Sequence, residues 1–188
     1  MRLIAACPRH WRLLDVGCLR CPILDWAYQL SFRDLEGCDL GGIQPFSPWQ
    51  QTWRRLTGRP LYRLSLQDLQ HTSFPERSFE IITSMSVIEH GVNVDAYFSE
   101  MARLLRPGGY LITSTDYWQM PLMQTPPIMT EFGPMRVFCA DDLTRMFQVA
   151  HAEGLELLAP FDPASPQRMV AWHGVEYTFA YFVLRRIS

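Results

Sequence analysis

Two neighbouring ionisable side chains, Glu89 and His90, are the first candidates for chemistry in this sequence. Histidine changes its charge near neutral pH, so His90 could accept a proton from a substrate or donate one to it, with Glu89 beside it. The pair follows a strand-like stretch and precedes a helix-like one. At such a junction a histidine can also cap the helix or pack against neighbouring side chains. The residues alone leave both interpretations open.

Two short pairs, Cys7-x-x-His10 and Cys18-x-x-Cys21, have the residue types and the two-residue gaps of a zinc site. Only seven residues separate the pairs, however, and most of them belong to a predicted strand. Cys18 and Cys21 can instead be small apolar residues of a buried turn. We therefore expect no metal, with a structural zinc as the alternative.

The basic residues exclude several reaction classes. All 17 of them are arginine, so Schiff-base chemistry, pyridoxal phosphate attachment and a P-loop lysine are excluded. No serine-triad, paired-carboxylate glycosidase or HExxH motif is present. Positions 17, 19 and 22 hold Gly, Leu and Pro, which argues against the dinucleotide-binding Gly-x-Gly-x-x-Gly fingerprint.

Strand-like and helix-like stretches alternate along the chain, which is typical of an α/β fold with a parallel sheet. The predicted strands are Arg12–Val16, a short one ending at Cys38–Asp39, Leu61–Ser65, Phe79–Thr83, Tyr110–Thr115, Leu155–Leu158 and Tyr177–Leu184. The predicted helices begin near Pro22, at the capping box Ser47–Gln50 with a stop at Gly58, at Asn93 with an end at the Arg106–Gly109 turn, and at Asp141–Asp142 with a stop at Gly154.

Two long connections, Tyr117–Cys139 and Pro160–Glu176, stand out between these elements. Loops of this length inside a compact domain are usually functional or disordered. The first contains several methionines and aromatic residues and is too apolar for a disordered tract. We expect one domain over residues 1–188, in which residues 117–139 form an inserted lid or substrate wall.

Composition and charge narrow the class of protein. The 188 residues include 48% apolar and 19% charged residues, which is a globular balance, and a formal net charge of −2 does not favour nucleic-acid binding. The longest apolar stretches have strand length, so we expect no membrane span and no membrane partner. Five cysteines, an odd number, and the lack of a signal-like start favour reduced thiols and a cytoplasmic location.

Four segments in order, LLDVGC, GCDL, DLQHTSFPERSFEIITSMSVIEH and EMARLLRPGGYLITST, resemble the type-11 branch of class I S-adenosylmethionine-dependent methyltransferases. The resemblance covers roughly Leu13 to Thr115. It implies a Rossmann-like, doubly wound, seven-stranded and mostly parallel sheet in the order 3-2-1-4-5-7-6, with an antiparallel last strand. It also implies S-adenosylmethionine as the cofactor.

The same resemblance implies roles for individual residues near the carboxyl ends of the strands, where ligands of such folds lie. Asp39 would accept hydrogen bonds from the ribose hydroxyls, and Asp68 and Leu69 would contact the adenine. The full implied cofactor set is Asp15, Gly17, Cys18, Asp39, Leu40, Asp68, Leu69, Ser84 and Met85. Asp116, Tyr117 and Trp118 would contact the substrate.

The first loop departs from the family pattern. Family members have Gly-x-Gly-x-Gly after the first strand, whereas this chain has Gly17, then Leu19 and Cys21 in place of the other two glycines. Those glycines allow a positive φ and a close approach to the ligand. Two hypotheses follow. One is a methyltransferase acting on a small molecule or a carbohydrate-type precursor. The other is a non-catalytic pseudoenzyme that serves as an interaction module for a protein partner.

Overall fold

The computed structural model describes residues 2–19, 22–41, 48–122, 128–130, 133–164 and 167–188, with backbone alone for 48–51. The described residues form helices α1 Arg2–Ala6, α2 Ile23–Gln29, α3 Pro48–Thr57, α4 Val94–Leu104 and α5 Ala140–Ala152. The strands are β1 Leu13–Val16, β2 Leu35–Asp39, β3 Arg63–Leu66, β4 Phe79–Met85, β5 Leu105–Tyr117, β6 Met129–Thr130, β7 Gly133–Pro134, β8 Leu155–Leu157, β9 Val170–Trp172 and β10 Val175–Arg186.

The main sheet has the order β3-β2-β1-β4-β5-β10-β8. The first five strands in this order, β3, β2, β1, β4 and β5, pair in parallel. Strand β10 is antiparallel to both β5 and β8. The predicted order 3-2-1-4-5-7-6 and the antiparallel last strand are therefore confirmed. An eighth strand that was not predicted, β9, pairs with β10 off this path, within the long connection 160–176.

Hydrophobic residues cover both faces of the sheet, as a doubly wound fold requires. On one face α4 and α5 pack over β1, β4, β5 and β10, and Tyr97, Phe98 and Met101 of α4 are fully buried. On the other face α1 and α2 pack over the same sheet through Ile4, Ile23 and other apolar side chains. The sheet is thus packed between two apolar layers, and this packing holds the carboxyl ends of its parallel strands in place.

Helix α4 begins where the sequence predicts. The side chain of Asn93 accepts hydrogen bonds from the backbone N–H groups of Asp95 and Ala96, both at 3.1 Å, and so caps the first turn. Helix α5 starts next to the predicted acidic residues and is followed by Gly154, whose φ is +76°. The capping box predicted at the start of α3 includes Ser47, which lies outside the described residues.

Several predicted strand boundaries are wrong. The segment Arg106–Gly109 was expected to be a turn before a strand at Tyr110, but β5 already begins at Leu105. Leu105 pairs with Phe79 and Tyr110 pairs with Ile81, so four residues of β5 lie opposite the single residue Glu80. The Arg-Pro-Gly-Gly run is therefore a bulge inside the strand, where a Cβ on Gly109 would come within 2.9 Å of the Glu80 carbonyl oxygen. Strand β3 is also shifted, starting at Arg63 instead of Leu61.

None of the helices in the described ranges is long and apolar enough to cross a membrane.

Candidate functional site

The first loop after β1 turns sharply at Gly17. Its φ is +67°, and the backbone N–H groups of Gly17 and Cys18 both donate to the carbonyl oxygen of Cys38, at 2.8 and 3.2 Å. A Cβ at Gly17 would lie 2.3 Å from Cγ2 of Val87, in the loop after β4. The ends of β1, β2 and β4 are therefore in close contact at this point, and residue 17 needs to be glycine.

The carboxylate of Asp39 organises the same loop from the end of β2. Its Oδ2 accepts from the backbone N–H of Leu19 at 2.9 Å, and its Oδ1 accepts from the backbone N–H of Leu40 at 2.8 Å. The φ of Leu19 lies outside the left-handed region. The leucine that replaces a family glycine therefore avoids that backbone strain. Cys21, the other replacement, lies outside the described residues.

A cavity of about 360 Å³ opens at the carboxyl ends of β1, β2 and β4. It is lined by residues of the first loop, the end of β2, the β3–β4 connection, the β4–α4 connection and strand β6: Gly17, Leu19, Asp39, Leu40, Leu69, Ser86, Val87, His90, Val92 and Thr130. Four residues of the implied cofactor set line it, namely Gly17, Asp39, Leu40 and Leu69, together with the proton-transfer candidate His90.

Sequence reasoning missed four of the lining residues: Ser86, Val87, Val92 and Thr130. It placed the contact after β4 at Ser84 and Met85, which are the last two residues of that strand. The chain turns only at Ser86, whose φ is +54°. A correct prediction of where β4 ends would have pointed to Ser86. Thr130 is distant in sequence from the other lining residues, and no sequence pattern indicated it.

Several residues of the implied cofactor set lie near the cavity without lining it. Asp15 is buried in β1, where the Thr83 hydroxyl donates to its Oδ1 at 2.5 Å, and burial raises the pKa of Asp15 to about 7. Cys18, Ser84 and Met85 face the packed interior. We expect these residues to support the loops instead of touching a ligand through their side chains.

Asp68 is exposed in a turn before β4. Its Oδ1 accepts from the backbone N–H of Gln70 at 2.9 Å and from the Gln70 side chain at 3.2 Å. The adjacent Leu69 is buried and lines the cavity. The structure thus places Leu69, but not the carboxylate of Asp68, on the cavity surface.

Glu89 and His90 follow β4, with Glu89 inside and His90 at the cavity. Glu89 is 1% exposed, and its Oε2 accepts from the Thr115 hydroxyl at 3.0 Å. Burial, and then the charge of Asp116, raise the pKa of Glu89 to about 8, so it is largely protonated at neutral pH. Burial lowers the pKa of His90, which favours its neutral form. Within the described ranges, Oε1 of Glu89 and Nδ1 of His90 are buried without a hydrogen-bond partner.

The segment 117–139 is attached to this pair by backbone contacts. The N–H of Arg136 donates to the Glu89 carbonyl oxygen at 2.9 Å, and Met135 forms a β-bridge with His90. At the end of β5, the Phe138 N–H donates to the carbonyl oxygen of Asp116, and the Trp118 N–H donates to the carbonyl oxygen of Phe138. The described part of this segment is therefore ordered against the loop that carries Glu89 and His90.

The three implied substrate residues lie at the end of β5. Asp116 is buried beside the Tyr177 hydroxyl, and burial raises its pKa to about 6, although the Tyr177 hydrogen bond opposes this shift. The Tyr117 hydroxyl donates to the Pro163 carbonyl oxygen at 2.7 Å, and the Arg168 guanidinium lies 4.4 Å from the centre of the Trp118 ring. None of the three lines the 360 Å³ cavity; Asp116 and Tyr117 are the last residues of β5, which pairs with β4, and Trp118 follows them.

The described residues contain no group of three or more His, Cys, Asp or Glu that could hold a metal ion. Cys7, Cys18, Cys38 and Cys139 are buried.

The close contact at Gly17 predicts a measurable stability loss. Gly17→Ala should lower the free energy of unfolding by roughly 2–4 kcal/mol, since it combines positive-φ strain with overpacking against Val87. Gly58→Ala is a matched control, because Gly58 has φ +68° but open space around its Cβ position, and should lose about 1 kcal/mol. Urea denaturation measures both. Equal losses in the two variants would show that Val87 does not crowd residue 17.

Comparison with known proteins agrees with this geometry. The profile of a family described as a methyltransferase domain matches residues 1–159. A Mycolicibacterium smegmatis protein named as a probable S-adenosylmethionine-dependent methyltransferase is 29% identical over 109 residues, which are 57% of this chain and 41% of that protein. The match thus spans less than half of that curated relative.

Two solved structures share the fold. An S-adenosylmethionine-dependent methyltransferase from Mesorhizobium loti has a TM-score of 0.66 at 16% identity, covering 98% of this chain and 95% of its own. A Burkholderia thailandensis 1,6-didemethyltoxoflavin-N1-methyltransferase with bound S-adenosylhomocysteine has a TM-score of 0.66 at 17% identity, covering 96% and 72%. Because the family profile covers most of the chain and the fold agrees over nearly all of it, the chain belongs to the class I S-adenosylmethionine-dependent methyltransferases.

Proposed function

We propose that this chain transfers the methyl group of S-adenosylmethionine to a small molecule or a carbohydrate-type precursor. The observation that carries the proposal is the cavity at the carboxyl ends of β1, β2 and β4, where Asp39 and His90 share one surface. This is the edge at which open α/β sheets bind ligands. Its described lining contains no arginine, which does not favour a polyanionic acceptor such as a nucleic acid.

The residues present fit the cofactor. Asp39 is only partly buried and reaches the cavity, so its carboxylate can accept hydrogen bonds from the ribose hydroxyls while it holds the N–H groups of Leu19 and Leu40. Leu40 and Leu69 supply apolar surface for the adenine, and the close packing at Gly17 keeps the first loop beside the ligand. The family pattern also implies a contact between Asp68 and the adenine amino group, although the Asp68 carboxylate lies outside the cavity lining, in the turn beside Leu69. The bound cofactor supplies a methyl group on a positively charged sulfur, which makes that methyl electrophilic.

His90 is the proposed proton acceptor. A neutral imidazole at the cavity surface can take the proton that an acceptor hydroxyl or amine loses as it is methylated. The lowered pKa of His90 keeps it neutral at physiological pH. Glu89, largely protonated and held by Thr115, would act through its position beside His90.

The acceptor is proposed to lie next to the end of β5. Asp116, Tyr117 and Trp118 would orient it, and the segment 117–139 would cover it and exclude water. Alignment of the acceptor with an already activated methyl group supplies most of the acceleration in such a site, so a base gives a smaller further gain.

The pseudoenzyme alternative depends on the altered first loop. The backbone of Leu19 does not have a positive φ, so the loop has a conformation that a leucine can adopt. This weakens the argument that the altered loop has lost cofactor binding. Calorimetric titration with S-adenosylhomocysteine tests the proposal directly. We expect binding at micromolar strength. A protein that is folded but shows no heat of binding and no thermal shift up to millimolar ligand would favour the pseudoenzyme.

The loop also predicts the effect of restoring a family glycine. Leu19→Gly should leave the affinity for S-adenosylhomocysteine within about twofold, because the unstrained Leu19 backbone gives the glycine no strain to relieve. Its melting temperature should fall slightly, since glycine adds freedom to the unfolded chain. A gain in affinity of tenfold or more would mean that the Leu19 side chain obstructs the cofactor. Leu40→Gly is the control for simple loss of apolar surface in the same cavity.

A further inference from the structure

The described side chains of helix α3 are little covered by the rest of the described chain. The described side chains Thr52–Thr57 are all exposed, and Trp53 and Leu56 are 42% and 79% exposed. Residues three apart lie on the same face of a helix, so these two large apolar groups form one surface. Neither belongs to an apolar cluster of the described core. The helix therefore presents an apolar face that the described chain leaves largely uncovered.

The charged residues of the chain segment that contains α3 all have the same sign. Between Leu40 and Leu66 the sequence contains four arginines and no aspartate or glutamate, in a chain whose formal net charge is −2. Arg63 pairs with Asp34 and Glu36. Across the described part of the chain, Arg54, Arg55 and Arg59 have no carboxylate within ion-pair distance. Three free positive charges thus accompany the exposed Trp53 and Leu56.

The strands that α3 connects add further apolar surface. Leu66 ends β3 and is 67% exposed, and Leu40, which follows β2 and also lines the cavity, is 54% exposed. Asp39 and Leu66 are paired in register, so both leucines lie at the carboxyl end of the sheet's β2–β3 side. This part of the protein therefore combines exposed apolar side chains with unpaired positive charge.

We propose that α3 binds an anionic phospholipid surface. A short helix with a tryptophan, a leucine and unpaired arginines can lie in the interface, with its apolar side chains among the acyl chains and its guanidinium groups at the phosphates. A lipid surface is fluid and needs no shape-matched groove, which suits a face made of isolated side chains. The helix lies on the membrane and does not cross it. The proposal differs from the expectation from sequence that the protein has no membrane partner.

Vesicle sedimentation tests the proposal. The wild-type protein should sediment with vesicles of equal parts phosphatidylglycerol and phosphatidylcholine at low salt, but not with phosphatidylcholine alone. Arg54→Gln with Arg55→Gln should lower the partition coefficient by about fivefold for each arginine removed. Trp53→Ser with Leu56→Ser should reduce sedimentation at least as strongly.

Matched variants elsewhere separate this helix from the protein as a whole. Arg168→Gln with Arg185→Gln removes the same charge, and Met169→Ser removes a side chain that is 74% exposed; both should leave sedimentation unchanged. All replaced side chains are at least partly exposed, so circular dichroism should show intact folding. Equal binding of wild type and α3 variants, or no preference for phosphatidylglycerol, would overturn the proposal. So would a concentration-dependent dimer, seen by light scattering, that the Trp53 and Leu56 variant abolishes, because α3 would then bind a second copy.

Discussion

Replacing Glu89 with glutamine is expected to stabilise the protein at pH 8 and above by roughly 2–4 kcal/mol relative to wild type. A glutamate ionises near pKa 4.5 when unfolded, whereas burial raises the pKa of folded Glu89 to about 8. Between these values the unfolded state has released a proton that the folded state retains. The stability of the wild type therefore falls as the pH rises from about 4.5 to about 8. Glutamine cannot ionise and can still accept the Thr115 hydrogen bond.

Denaturant unfolding at several pH values measures this effect. The curve of the Glu89→Gln variant should be flatter than that of wild type, with a remaining slope because the pKa values of Asp15 and Asp116 are also raised, to about 7 and about 6. Glu76→Gln, at an exposed glutamate, is the control and should follow the wild-type curve. Parallel curves for wild type and Glu89→Gln across this range would show that Glu89 ionises normally in the folded protein.

Removing the carboxylate of Asp39 is expected to weaken binding of S-adenosylhomocysteine by about 1–3 kcal/mol, or roughly 5- to 150-fold. Asp39→Ala leaves the ribose hydroxyls without their acceptor and also frees the backbone N–H groups of Leu19 and Leu40. Asp39→Asn retains one side-chain oxygen and should lose less. Calorimetric titration gives both affinities, and the melting temperature shows whether the fold is intact.

Two further variants show whether this effect is specific to Asp39. Asp162→Ala removes an exposed carboxylate that does not line the cavity, and this variant should bind S-adenosylhomocysteine as wild type does. Asp68→Ala tests the adenine contact that the family pattern implies for an exposed turn residue. If Asp39→Ala binds S-adenosylhomocysteine with unchanged affinity, the ribose does not lie at the end of β2 and the proposed placement of the cofactor is wrong.

The sheet could be predicted from sequence because its signals are local and repeated. Short apolar stretches such as Phe79–Thr83 alternate with helical stripes, and the family resemblance supplies their order in the sheet. The bulge at Arg106–Gly109 could not be predicted, since a Pro-Gly-Gly run has the same local signal whether it ends a helix or loops out of a strand. Only the pairing of Leu105 with Phe79 distinguishes the two.

The candidate site was partly predictable for a similar reason. Gly17 and Asp39 lie at strand ends, and Leu69 lies at a fixed spacing before β4. The spacing of the motifs therefore predicted that these residues lie at the cavity. Ser86 was missed because β4 continues two residues beyond its predicted end. Thr130 comes from a hairpin whose position depends on tertiary contacts and not on any local pattern.

The long antiparallel strand β10 has a consequence for how the chain reaches its folded state. It pairs with β5 over eight residues, and it also carries β8 and β9. The cavity residues from Gly17 to Val92 are made early in synthesis, yet until residues 175–186 arrive, β5 is an open edge with apolar Leu111 and Ile112. Such an edge is a template for pairing between chains. A nascent or truncated chain without β10 should therefore depend on chaperones and aggregate readily, so that late C-terminal frameshifts would abolish accumulation of the protein while every cavity residue remains encoded.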